Sequence, residues 1–154
     1  MNIKRMSAIY FYLLLALVAG AMMPAQAGIN NKLAGFVQSP ISAAFISFLI
    51  GTIALFVYMV VTGTPISSLT NIADAPPVAW LGGLLGAFFV TSTVVLAPRI
   101  GVAMTFSLIV AGQMLITLVL DHFGFLGLPV KEISLARIGG ILLITAGVVI
   151  IRKF

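Results

Sequence analysis

The chain contains no cysteine and a single histidine, His122. That excludes a disulfide framework and a thiolate metal site, and one imidazole cannot hold a metal alone. Charge is nearly as scarce. Only 7% of residues are charged, and the acids are Asp74, Asp121 and Glu132. A soluble domain needs a charged, solvated surface, so this composition excludes one. Hydrolytic chemistry needs clustered acids, bases or nucleophiles, so no enzyme activity is expected and nothing asks for a cofactor. The net charge of +5 comes from basic residues scattered through short loops and tails. They never cluster with exposed aromatics, which excludes a nucleic-acid footprint.

What the chain has in abundance is apolar length. Hydrophobic residues make up 62% of it, in five runs expected to span at about residues 7–28, 39–62, 78–97, 101–121 and 134–151. A bilayer core of ~30 Å takes about 20 helical residues at ~1.5 Å each, so every run suffices. The expected fold is an all-α membrane protein with five transmembrane helices, forming one domain over residues 1–154. Its expected location is the cytoplasmic (inner) membrane of a bacterium. Lys4 and Arg5, an apolar stretch and then Ala25-Gln26-Ala27 before Gly28 imitate a signal peptide with its cleavage site. The apolar stretch over 8–23 is long enough to span, and a retained first helix is the reading adopted. Between the spans, residues 63–77 form the longest loop, broken by Pro65, Pro76 and Pro77. Pro98-Arg99-Ile100-Gly101 reads as a tight turn, and residues 124–132 link the last two helices.

Five spans put the two ends of the chain on opposite sides. Lys4, Arg5, Lys131 and Arg137 then share one side, and Lys32, Arg99, Arg152 and Lys153 the other. Orientation normally follows an excess of Lys and Arg on the cytoplasmic side, and here the two sides tie. The expectation is insertion in both senses and assembly as an antiparallel pair, with itself or with a close five-helix homologue.

Small residues recur at helical spacing: Ala43, Ser47 and Gly51; Gly82 and Gly86; Ala103, Ser107 and Ala111. Lipid gives no hydrophobic drive for helix association, so such stripes are read as packing surfaces. Polar side chains inside the spans are the sharper signal, because each is costly unless partnered or hydrated. Gln26 and Asn30 follow Pro24 four residues apart. Gln113, Thr117 and Asp121 share one face of the fourth helix, and Phe88 precedes Ser92 by one turn of the third. A cavity lined by the amide-bearing faces of the first and fourth helices is expected, with Gln26, Asn30, Ser92, Gln113 and Thr117 binding substrate and Trp80 and Phe88 as apolar walls. Interhelical hydrogen bonding in a static bundle is the competing reading. Asp121 is either a solvated helix end or a titrating coupling group. Trp80 also suits the interfacial aromatic belt, Arg99 a snorkelling topology charge and His122 a solvated helix end.

Several ordered motifs resemble one family. Gly20-Ala21-Met22-Met23-Pro24-Ala25-Gln26-Ala27-Gly28-Ile29-Asn30 is similar to the first-helix signature of YdcZ-type, half-size members of the drug/metabolite transporter (DMT) superfamily. Ser39-Pro40, Ser47-Phe48-Leu49-Ile50-Gly51-Thr52 and Trp80-Leu81-Gly82-Gly83-Leu84-Leu85-Gly86-Ala87-Phe88 continue the resemblance. Ala97-Pro98-Arg99-Ile100-Gly101, Ala111-Gly112-Gln113 and Asp121-His122-Phe123-Gly124 extend it through the fourth helix. It implies a five-helix unit, half of the ten-helix inverted-repeat bundle of EamA-type carriers, working as an antiparallel dimer. The four-helix multidrug exporters are further relatives, but their first-helix glutamate has no counterpart here, where Gln26 and Asn30 do not titrate. The expected function is transport of small molecules by alternating access. A passive channel built from the same pair, or a non-transporting membrane subunit, are the alternatives.

Overall fold

A computed structural model describes residues 3–153, with side chains described for residues 8–67 and 69–153. Met1, Asn2 and Phe154, the ends of the expected 1–154 domain, lie outside the described residues, as do the side chains of Lys4 and Arg5. Five α-helices account for most of the chain: α1 (Ile3–Val37), α2 (Pro40–Val61), α3 (Leu81–Ile100), α4 (Val102–Phe123) and α5 (Leu135–Lys153). No strand occurs among the described residues. All five helices are long and apolar enough to cross a membrane, and the protein is an all-α membrane protein.

The chain divides into two compact units, residues 1–98 and 99–154. In the first, α1 packs against α2. The two are joined by Gln38 and Ser39 alone, a connection that local chemistry explains. Gln38 takes left-handed backbone (φ 53°) and ends α1, while its side-chain amide donates to the Gly35 carbonyl. Ser39 is extended, as a residue before proline prefers. Its Oγ accepts from the Ser42 amide at 3.2 Å, and Pro40 opens α2 where a missing N–H costs nothing. So short a link makes an antiparallel hairpin.

α1 is longer than the span expected from sequence. It continues through Asn30, Asn31 and Lys32 to Val37, as one helix of 35 residues. At ~1.5 Å per residue that is about 52 Å, more than the ~30 Å hydrocarbon core. The extension explains the polar run after Gly28: its buried positions Ala27 and Asn30, with half-buried Met23, Ala34 and Val37, form a stripe spaced by threes and fours. Pro24 stays inside the helix and deprives the Gly20 carbonyl of its usual donor.

The Pro98–Gly101 turn also differs from expectation. Pro98, Arg99 and Ile100 remain helical in α3, and Gly101 alone breaks the chain, with φ 83° and ψ 152°. Only glycine adopts that backbone readily, so one residue suffices where four were expected. In the second unit α4 packs against α5. Gly124 ends α4 in the left-handed conformation (φ 62°), and Ser134 caps α5, its Oγ accepting from the Arg137 amide at 3.3 Å.

Candidate functional site

Polar groups inside these helices fall into two classes once their partners are known. Thr52, Thr117 and Thr145 each donate to the carbonyl four residues back, and buried Thr93 and Thr105 donate to Val90 and Gly101 at 2.8 and 2.7 Å. A threonine hydroxyl thus satisfies itself on its own helix, which makes threonine a cheap residue in a span and a weak sign of function. Asn31 does the same, its Nδ2 reaching the Ala27 carbonyl at 3.2 Å. Asn30 does not. It is 3% exposed, and its Nδ2 is buried without a hydrogen-bond partner. An unpaired buried amide costs several kcal/mol at most and about 1 kcal/mol at least, so its retention needs a reason.

The hairpin geometry gives Asn30 its setting. Counting equal numbers of residues outward from the Gln38–Ser39 turn puts Asn30 level with Ser47, Gln26 with Gly51, and Ala34 with Ala43. Ala43 is buried, and Ser47 and Gly51 are half-buried. A groove of about 220 Å³ opens here, lined by Gln26, Ser47, Phe48, Gly51, Thr52 and Leu55. Gln26 is exposed along it. A second groove in this unit, about 320 Å³, is lined by Ile41, Ala44, Phe45, Phe48, Ala87 and Thr91. Phe48 belongs to both, and its ring lies 3.4 Å from where a Cβ on Gly86 would stand. At Gly51 and Gly82 an added Cβ would meet nothing within 4 Å. Of the other residues singled out in this unit, Ser92 is half-buried, while Trp80 and Phe88 are 56% and 74% exposed.

Gln113, Thr117 and Asp121 lie in the second unit. Gln113 is exposed, and Ala103, Ser107 and Ala111 run from exposed to half-buried along the same helix. Ala103 and Ser107 line an apolar cavity of about 390 Å³ with Phe106, Val110 and residues of α5. Thr117 and Asp121 line another of about 260 Å³, with Met114, Leu118, Arg137, Gly140, Ile141 and Ile144. Its polar end is an ion pair: Arg137 Nη1 stands 3.2 Å from the Asp121 carboxylate. The same Nη1 donates to the Lys131 carbonyl at 3.3 Å, and the Lys131 amide donates to the Asp121 carbonyl at 2.8 Å. These bonds tie the end of α4 to the start of α5. His122, next in sequence, sets its ring edge-on to Phe123 at 4.8 Å, and its Nδ1 is buried without a partner.

The sequence reading missed two things here. Arg137 was counted as a topology charge, though Asp121 and Arg137 stand equally far from Pro129 in the connecting loop. Thr52, which lines one groove with Gln26 one residue beyond the level position across the first hairpin, was also passed over. In both cases the signal is the position of the turn, which sets which residues face each other. Among the described residues, no group of three or more His, Asp or Glu side chains is placed to hold a metal ion.

A family model described as "Putative inner membrane exporter, YdcZ" matches residues 11–150. No curated protein and no solved structure matches the chain. With its five spans and a family match over most of its length, the chain belongs to the YdcZ family, a half-size type within the drug/metabolite transporter superfamily.

Proposed function

We propose that the chain exports small molecules by alternating access, working as an antiparallel pair of copies. The observation that carries this reading is Asn30: a buried amide donor without a partner, one helical turn from an exposed Gln26 that borders a groove. A static bundle gains by satisfying such a donor, and the neighbouring Asn31 shows how easily an asparagine here does so. A donor kept open at membrane depth suits a group that meets its acceptor only when substrate is bound. Gln26 and Asn30 would bind substrate through hydrogen bonds, with Phe48 as an apolar wall.

The antiparallel pair rests on the tie in positive charge between the two sides of the membrane and on the exposed amides. Gln26 and Gln113 are too costly to leave in hydrocarbon, and a second copy or a hydrated cavity relieves them. Asp121 is the coupling candidate, as the one acid within a span. Its protonation would release Arg137 and loosen the tie between α4 and α5.

Two measurements test the proposal. Reporters fused after Phe154, one active only in the cytoplasm and one only outside, are expected to be active together; activity from one alone would rule out dual insertion. In liposomes, transport is expected to saturate and to show counterflow, whereas non-saturating flux without exchange would establish a channel.

A further inference from the structure

The longest connection, between α2 and α3, reads in sequence as a proline-broken loop, but the structure gives it a regular form. Residues Ile66–Asp74 form a 3₁₀-helix, followed by a second short one at Pro77–Trp80. A 3₁₀-helix has three residues per turn, so side chains three apart eclipse one another. Ile66, Leu69 and Ile72 therefore lie on a single line, and they are 57%, 49% and 50% exposed. Ser67, Thr70 and Ala73 form a second line, and Asn71 and Asp74 fall on the third. The Thr70 hydroxyl donates to the Ser67 carbonyl at 2.6 Å. Pro65 and Pro76, both extended, bracket the segment.

We propose that Ile66–Asp74 is an interfacial element that lies along the membrane surface with Ile66, Leu69 and Ile72 inserted at the boundary of the acyl chains. Its partner is the lipid bilayer. The tethering argues for this occupant. α2 ends at Val61 and the next candidate span begins at Pro77, so both ends of the segment are held within a few residues of the hydrocarbon. A single aliphatic line with two polar lines is the arrangement that a water–lipid boundary covers, in the manner of amphipathic surface helices. Exposed Val78 and Trp80 follow at the start of the next span, where interfacial aromatics settle. The segment carries one charge, Asp74, and no Lys or Arg. It therefore binds through apolar insertion and not through attraction to anionic headgroups, unlike basic surface helices. Such an element holds the end of α2 and the start of α3 at one depth, whatever the chain transports.

The absence of cysteine makes the test direct, since each introduced cysteine is unique. Nitroxide labels would be placed singly by Ile66→Cys, Ser67→Cys, Leu69→Cys, Thr70→Cys, Asn71→Cys and Ile72→Cys in the full chain, reconstituted in vesicles. Each label is then exposed to oxygen, which concentrates in hydrocarbon, and to a water-soluble nickel chelate. The expected result is an oxygen-to-nickel accessibility ratio several-fold higher at 66, 69 and 72 than at 67, 70 and 71. That ratio should not change between neutral and anionic vesicles. Uniform nickel access would return the segment to a solvated loop. Labels at 66, 69 and 72 that are shielded from both reagents would show a protein cover, a second copy or another part of this chain, and would equally overturn the proposal.

Discussion

The two helical hairpins, α1–α2 and α4–α5, handle polar groups in opposite ways. The first closes through two residues, packs through small side chains and holds an amide donor with no partner. The second closes through a longer loop and gathers its charges at one end, where Asp121, Arg137 and Lys131 satisfy one another. A polar group with its partners supplied by the chain is explained by folding. One that folding leaves open is a candidate for binding something else. By that criterion the first hairpin is the stronger place to look for substrate recognition, and the second for a coupling latch.

Asn30→Leu is expected to break the contrast most sharply. It removes a buried donor whose lack of a partner costs about 1–3 kcal/mol, so the thermal midpoint should hold or rise. Counterflow in liposomes should nonetheless fall more than tenfold. A variant that loses stability and keeps transport would make Asn30 a packing residue. Gly124→Ala acts on the second hairpin alone. Its left-handed backbone costs about 1–2 kcal/mol for a residue with a Cβ, and that Cβ would stand 2.7 Å from a Val130 methyl. Thermal unfolding should shift downward, with substrate specificity unchanged.

Asp121→Asn should cost less, no more than about 1 kcal/mol, because both side chains of the pair are partly exposed. If Asp121 carries the coupling proton, the same variant loses the dependence of transport on a pH gradient; dependence that survives would reduce the pair to a structural tie. The smallest effect is expected from Gly82→Ala, where an added Cβ meets nothing within 4 Å. Its midpoint should match the parent's within error, and a drop would reveal a neighbour supplied by another copy.

Much of the fold was legible because the hydrocarbon requirement is written in one dimension. Five apolar runs of sufficient length identify five helices, and the Ser39-Pro40 pair marks the start of α2 through capping and the conformational limits of proline. The structure departs from expectation where a local signal was given too much weight. Pro98 was read as part of a turn, yet a helix near its end tolerates proline, and Gly101 alone makes the break. The polar run after Gly28 suggested an end to the first span, but one buried stripe continues through it against α2. Thr117, expected to bind substrate, donates its hydroxyl to the Gln113 carbonyl four residues back, a partner that its own helix supplies.

Composition and spacing by themselves determined that this is a five-helix membrane protein, without a disulfide or a thiolate metal site, whose Lys and Arg divide four and four between the two sides expected from sequence. Those properties depend on residue counts and on distances along the chain. Which polar groups are buried, and which meet across helices, was decided by tertiary structure. Asn30 and Asn31 are the same residue type at adjacent positions; Asn31 bonds to the Ala27 carbonyl of its own helix, whereas Asn30 is buried in the unit where α1 packs on α2 with its amide donor open. Asp121 and Arg137 likewise became a pair only when the loop between them fixed how α4 and α5 meet. Hydrogen bonds and ion pairs act over about 3 Å, and only a folded backbone sets distances that fine between residues far apart in sequence.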